Sequence, residues 1–151
     1  MPKRMLVPLD QMLEAEAVLP FVADAVAAGA TVRLLHVAPR PENIIDADGR
    51  VIAYADQEMA RLEAEGLDYL RAVEARLPDG PMECVVRFGN PVDRILDEAQ
   101  AFGADTIIVT TGHHRGLSRL ILGSTAEQLF PRSDGTVVIV RPGRGLAREA
   151  A

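Results

Sequence analysis

The stretch MECVVRFGNPVDRILDEAQAFGADTIIVT, residues 82–110, contains one complete structural unit. Met82 to Phe88 is rich in the residue types that suit a pleated, half-buried strand. Gly89-Asn90-Pro91 is a tight turn that puts Pro91 at the first position of a helix, where its missing N–H goes unused. Val92, Ile95, Leu96, Ala99 and Phe102 then recur at helical spacing on one face. Gly103 ends that helix. Thr106 to Thr110 is the next strand. A strand, a helix and a strand in so short a span form a βα repeat.

The same alternation extends in both directions. Met5 to Leu9 reads as strand one. Gln11 to Ala28 reads as a helix with Val18, Phe21, Val22, Ala25 and Val26 on one side. Pro20 predicts a kink or a late start there, and Gly29 a C-terminal cap. Thr31 to Val37 is strand two, apolar enough to be buried on both faces. Ala38 to Val51 reads as a loop containing Pro39, Pro41 and Asp48-Gly49. A long helix follows from about Ala53 to Leu77, closed by Pro78 to Pro81.

Beyond Thr110, Thr111 to Leu122 is a polar, basic loop. Ser124 to Phe130 is a short helix, Pro131 to Gly135 a turn, and Thr136 to Arg141 strand five. Residues 1–142 are thus one domain, and 143–151 are expected to be a frayed tail. Five strands and four helices in this order predict an α/β, flavodoxin-like parallel sheet with strand order 3-2-1-4-5. Right-handed crossovers leave few alternatives.

Composition narrows the function classes. The chain of 151 residues carries a net charge of −6, so it lacks the basic face that nucleic acid needs. No apolar run approaches the ~18–20 residues of a membrane span. Met1 to Asp10 lacks a signal-peptide pattern, and the protein is expected in the cytoplasm. Cys84 is the one cysteine, set in a strand, and is expected to be a buried structural thiol.

In a doubly wound sheet, ligands bind beyond the carboxyl ends of the strands, where strand order reverses. That point lies between strands one and four, at Pro8, Leu9 and Asp10 and at Thr110 to His114. Gly112 and Gly116 let backbone amides turn inward. Gly123-Ser124 opens the short helix, whose N-terminus offers free N–H groups to an anion. Ser124-Thr125-Ala126-Glu127 is equally a capping box, so Ser124 reads either as a phosphate donor or as a plain cap.

Other chemistries find little support. His113-His114 lacks nearby metal-ligand partners, and a phosphate contact by His114 or Arg115, or a solvated loop, suits the pair better. Asp46 and Asp48 suit a solvated turn better than a cation site. No phosphate-binding Gly-x-x-x-x-Gly-Lys loop, dinucleotide fingerprint or nucleophile elbow is present. Asp10 has no companion acid at the end of strand three, where the chain reads Phe88-Gly89-Asn90, so a phospho-receiver site is not formed.

Several segments together resemble the universal stress protein family. They are Met5-Leu-Val-Pro-Leu-Asp10, Leu34-Leu-His-Val-Ala-Pro39, Gly89-Asn-Pro-Val-Asp-Arg-Ile-Leu96 and Gly103-Ala-Asp-Thr-Ile-Ile-Val109. The most specific is Gly116-Leu-Ser-Arg-Leu-Ile-Leu-Gly-Ser-Thr-Ala-Glu127, and Val137-Val-Ile-Val-Arg-Pro142 closes the set. The resemblance spans roughly Lys3 to Pro142. It implies a stress-response module that binds an adenine nucleotide (ATP or AMP, ATP possibly with Mg2+), with slow hydrolysis at most. By that resemblance Asp10 would hydrogen-bond the adenosine. Pro8 and Val37 would pack on adenine. The loop of Thr110, Gly112, His113, Arg115 and Gly116, with Gly123, Ser124 and Thr125, would hold phosphates.

The family's nucleotide motif is Gly, two residues, Gly, nine residues, Gly-Ser/Thr. Counted back from Gly123, its first two glycines fall at 110 and 113, where this chain has Thr110 and His113. That departure defines the alternative expectation, a same-fold dimeric stress protein that binds no nucleotide and acts through protein contacts. Gln11-Met12 also replaces the Gly-Ser that often follows the family's Asp, which removes a polar cap and adds bulk. Strand five, with Val137 to Val140, is expected at a sheet edge. In the family that edge often pairs across a two-fold axis, so the resemblance implies a homodimer.

Overall fold

The computed structural model describes residues 2–111 and 124–142. Five parallel strands make the main sheet: β1 (Arg4–Pro8), β2 (Thr31–Ala38), β5 (Met82–Phe88), β6 (Thr106–Thr110) and β7 (Thr136–Val140). Two short strands, β3 (Ile44–Ile45) and β4 (Val51–Ala53), form a separate antiparallel hairpin. The main sheet has the order β5-β2-β1-β6-β7. Counting its five strands along the chain, this is the expected 3-2-1-4-5.

The helices are α1 (Leu19–Ala27), α2 (Ala55–Glu74), α3 (Pro91–Phe102) and α4 (Ser124–Arg132), with a 3-10 helix over Leu13–Val18. The first predicted helix is therefore split. Pro20 sits in the first turn of α1, where its absent N–H matters least, and the residues before it wind more tightly as 3-10. Asn90 caps α3 by accepting a hydrogen bond from the Asp93 amide at 3.1 Å. Gly103 closes α3 in the left-handed region, with φ 69°.

Two expectations are corrected. The predicted loop after β2 gives way to the β3–β4 hairpin, which runs on to Ala53, so that α2 starts at Ala55; the hairpin's turn is organised by Asp46, whose Oδ1 accepts from the amides of Asp48 and Arg50, both at 2.9 Å. Asp-Gly between apolar pairs is a hairpin signal, and Asp46 does the work of a turn. The last helix runs through Pro131 to Arg132 instead of ending at Phe130. The Ser133 amide still reaches the Leu129 carbonyl at 3.0 Å, so the proline removes one bond without ending the turn.

Side chains alternate across the sheet and build two cores. Val7, Val32 and Leu34 pack with Val18 and Val22 beneath the 3-10 helix and α1, and with Leu70 and Val73 of α2. Leu6, Leu35, Ile107 and Val109 pack with Val92 and Ile95 of α3 and Leu129 of α4. Leu6, Val7, Leu34 and Leu35 are completely buried, each contributing roughly 1.5–3 kcal/mol of transfer free energy.

One charged group sits inside the second layer. Glu98, on the inner face of α3, is 5% exposed and bridges Arg33 of β2, at 2.8 Å, and Arg87 of β5. Arg33 also lies across the Phe102 ring, 4.4 Å from its centroid. Burial pushes the Glu98 carboxyl up, but the hydrogen bonds from Arg87 and Arg33 outweigh it and hold the group below the usual carboxylate range. A folded value below the unfolded one means that the contribution is complete at neutral pH and is lost as pH falls through the folded value. Glu98→Ala leaves Arg33 with Glu83, at 3.2 Å, and the half-exposed Arg87 facing solvent, and is expected to cost about 2 kcal/mol in urea unfolding at pH 7. It should also flatten the loss of stability below about pH 4.

Candidate functional site

The switch point lies where β1 is flanked by β2 on one side and β6 on the other. β1 ends at Pro8, half-buried. Leu9 continues the line for one residue, its amide donating to the Leu35 carbonyl at 2.8 Å. Asp10 then emerges exposed, and its Oδ1 accepts from the Met12 amide at 2.9 Å. That bond is an Asx turn, which a short acid makes readily. Among the described residues, its second carboxylate oxygen has no protein partner.

Gln11 carries the chain through the left-handed region, with φ 68°, the one described non-glycine to do so. Such a conformation costs a residue with a side chain about 1–2 kcal/mol. Its amide nitrogen lies 3.1 Å from Nε2 of His36. His36 is 9% exposed, and its Nδ1 lies 2.8 Å from the Leu9 carbonyl oxygen. Met12 precedes the 3-10 helix without a side-chain cap, as the missing polar residue predicts.

The candidate residues separate into two groups. Pro8 and Asp10 at the end of β1, Val37 one residue from the end of β2 and Thr110 closing β6 share the carboxyl end of the sheet. Val37 is half-buried against the α3 layer. Thr110 pairs with Val140 in the ladder, and the Thr111 amide donates to the Val140 carbonyl at 2.9 Å. Gly112, His113, Arg115, Gly116 and Gly123 lie outside the described residues. Ser124 and Thr125 open α4, as expected for a helix N-terminus behind the loop.

Sequence reasoning passed over Gln11 and His36 as structural partners. The available signal was Gln11 itself, a long side chain directly after a strand-terminal Asp at a sharp turn. No group of three or more metal-ligating side chains occurs among the described residues. A groove of about 660 Å³ lies at the opposite, amino end, lined by Met5, Phe21, Asp105, Ile108 and Val138 among others. It is a gap between α1 and the β6–β7 end of the sheet. Its Asp105 carboxylate is already engaged by the Lys3 and Arg4 amides and the Thr106 hydroxyl.

These features define an α/β protein in which, among the described residues, Asp10 is the strand-end carboxylate at the switch point. A model of the universal stress protein family matches residues 1–141. The chain belongs to that family. It is similar in fold to a hypothetical protein whose biochemical function was assigned from its structure, with 24% identity, 94% of this chain and 97% of that one covered, and a TM-score of 0.77. A universal stress protein in complex with cAMP shares 21% identity, covering 94% and 98%, with a TM-score of 0.59. One from Archaeoglobus fulgidus in complex with dAMP shares 20%, covering 91% and 96%, with a TM-score of 0.57.

Cys84 is half-buried in β5 instead of fully buried, because β5 is an edge strand. Burial first, and then the nearby Glu74 carboxylate, push its thiol above the ordinary range. Since the thiolate is the nucleophile, iodoacetamide should alkylate the folded protein more slowly than the urea-unfolded chain at pH 8. Equal rates in the two states would contradict a raised thiol.

Proposed function

We propose that this protein binds an adenine nucleotide at the carboxyl end of β1 and acts as a stress-response module whose protein contacts the nucleotide biases. The observation that carries the reading is Asp10. It is an exposed carboxylate held by one oxygen, with no bond to the other among the described residues, at the point where the strand order reverses. Ligands in such sheets collect at that point. Relatives of the same fold bind cAMP and dAMP, which supports the ligand class. In this reading Asp10 accepts from the adenosine, and Pro8 and Val37 flank the base. The amides of Gly112 and Gly116, with Ser124, Thr125 and Arg115, meet phosphates. ATP would bring its Mg2+ as substrate counter-ion.

A second reading has its own support. Thr110 stands where the family motif has glycine, and its strand is paired through to Thr111, whose amide is already bonded to Val140. In this reading the protein is a same-fold dimer that acts through protein contacts alone.

Thermal unfolding with millimolar Mg-ATP, ADP and AMP separates the two. A nucleotide at ~100 times its Kd adds roughly 2.7 kcal/mol and raises Tm by a few degrees or more. That rise should vanish in Asp10→Ala. No rise at saturation would overturn the nucleotide reading and leave the second.

We further infer a homodimer through β7. β7 bonds only to β6 among the described residues, and an unpaired apolar edge of this kind invites a mate. Light scattering should then return twice the 16.3 kDa of one chain. A single-chain mass at all working concentrations would overturn it.

A further inference from the structure

The turn after β1 is held from inside the protein by one imidazole. The Leu9 carbonyl can only accept a hydrogen bond, so His36 Nδ1 must carry the proton that meets it at 2.8 Å. His36 Nε2 then presents a lone pair, and the Gln11 amide nitrogen, 3.1 Å away, donates to it. The ring therefore bridges the residues on either side of Asp10.

The ring itself has little freedom. Helix α2 backs it with Gly66, where an added Cβ would come within 3.1 Å of His36 Cδ2 and 2.9 Å of Val86 Cγ2. The bridge engages the one described non-glycine residue in left-handed conformation, at φ 68°. A conformation that disfavours a side chain persists when its surroundings over-determine it, and His36 is the group that does so. The Asp10 carboxylate, tied to the Met12 amide across this turn, takes its direction from Gln11.

We propose that His36 is a positioning residue for the switch-point site, holding Gln11 left-handed and so aiming Asp10 out of the carboxyl end of the sheet. Its effect on ligand affinity rests on the nucleotide reading above; its effect on the turn does not. A histidine that merely filled the core would affect stability without setting the geometry of residues 10–12.

The experiment uses Gln11→Ala, Gln11→Gly, His36→Asn and the double variant His36→Asn/Gln11→Gly. Gln11 is exposed, so its variants are expected to fold. Three quantities are read: the nitrogen shifts of the His36 ring, hydrogen exchange of the Met12 amide without ligand, and AMP and ATP affinity by calorimetry. The ring should show the Nδ1–H tautomer. Gln11→Ala should speed Met12 exchange and weaken nucleotide binding by about tenfold each. Gln11→Gly should stay within roughly threefold of wild type on both, because glycine adopts this φ unaided. In the glycine background, His36→Asn should lose most of its effect.

An Nε2–H ring, wild-type Met12 exchange in Gln11→Ala, or failure of glycine to restore it would overturn the proposal. If no variant binds nucleotide, the nucleotide reading fails alone, and Met12 exchange decides the role of His36 in the same directions.

Discussion

β1 is bonded along both edges, to β2 and to β6, in parallel, and its Met5, Leu6 and Val7 are buried on both faces. The rest of the structure depends on that double pairing. From β1 the chain steps outward through β2 to β5 and then returns across the sheet to β6 and β7, so the crossovers run first in one direction and then in the other. Right-handed crossovers then place α1 and α2 on one face and α3 and α4 on the other. The same constraint sends the connection from β1 to α1 on one face and the connection from β6 to α4 on the other, which makes the β1–β6 junction the switch point. Asp10 stands at that junction because it follows the last residues that β1 can pair.

The two ends of the sheet are built on opposite principles, and each uses an aspartate. At the amino end, Asp105 accepts from the amides of Lys3 and Arg4, both at 2.9 Å, and from the Thr106 hydroxyl at 2.8 Å. Burial acts to raise its carboxyl, but these bonds prevail and hold it below the ordinary range. Gly135 packs so tightly here that a Cβ would lie 2.7 Å from the Asp105 carbonyl oxygen. At the carboxyl end Asp10 spends one oxygen on its own turn, and its other oxygen bonds nothing among the described residues. A saturated carboxylate stitches strands together; a half-saturated one keeps an oxygen for a further donor, which is why the proposed site is placed at this end.

Much of this was legible along the chain. Pro91, the apolar face from Val92 to Phe102 and Gly103 delimit α3 to the residue, because a helix start, a helix period and a helix stop all agree there. The β3–β4 hairpin was harder to see. Its strands are two and three residues long, too short for alternation to show, and the Asp48-Gly49 signal sat inside a segment already read as loop. Glu98 escaped notice for a different reason. A carboxylate on a helix is ordinarily a solvated one, and only the approach of Arg33 and Arg87 from two other strands makes burial tolerable.

The sequence by itself determined the order of elements, the parallel sheet, the location of the switch point and the identity of the acid standing at it. Periodicity, proline and glycine positions and chirality are local or near-local properties, and they suffice for those conclusions. Tertiary structure alone decided which amides and carboxylates at the switch point remain available. Among the described residues, Thr111 is committed to Val140, and Asp10 to Met12 by one oxygen. It alone also joined His36 to Gln11 across 25 residues of chain. Hydrogen-bond partnership depends on where two distant segments are brought together, and no pattern within either segment carries that information.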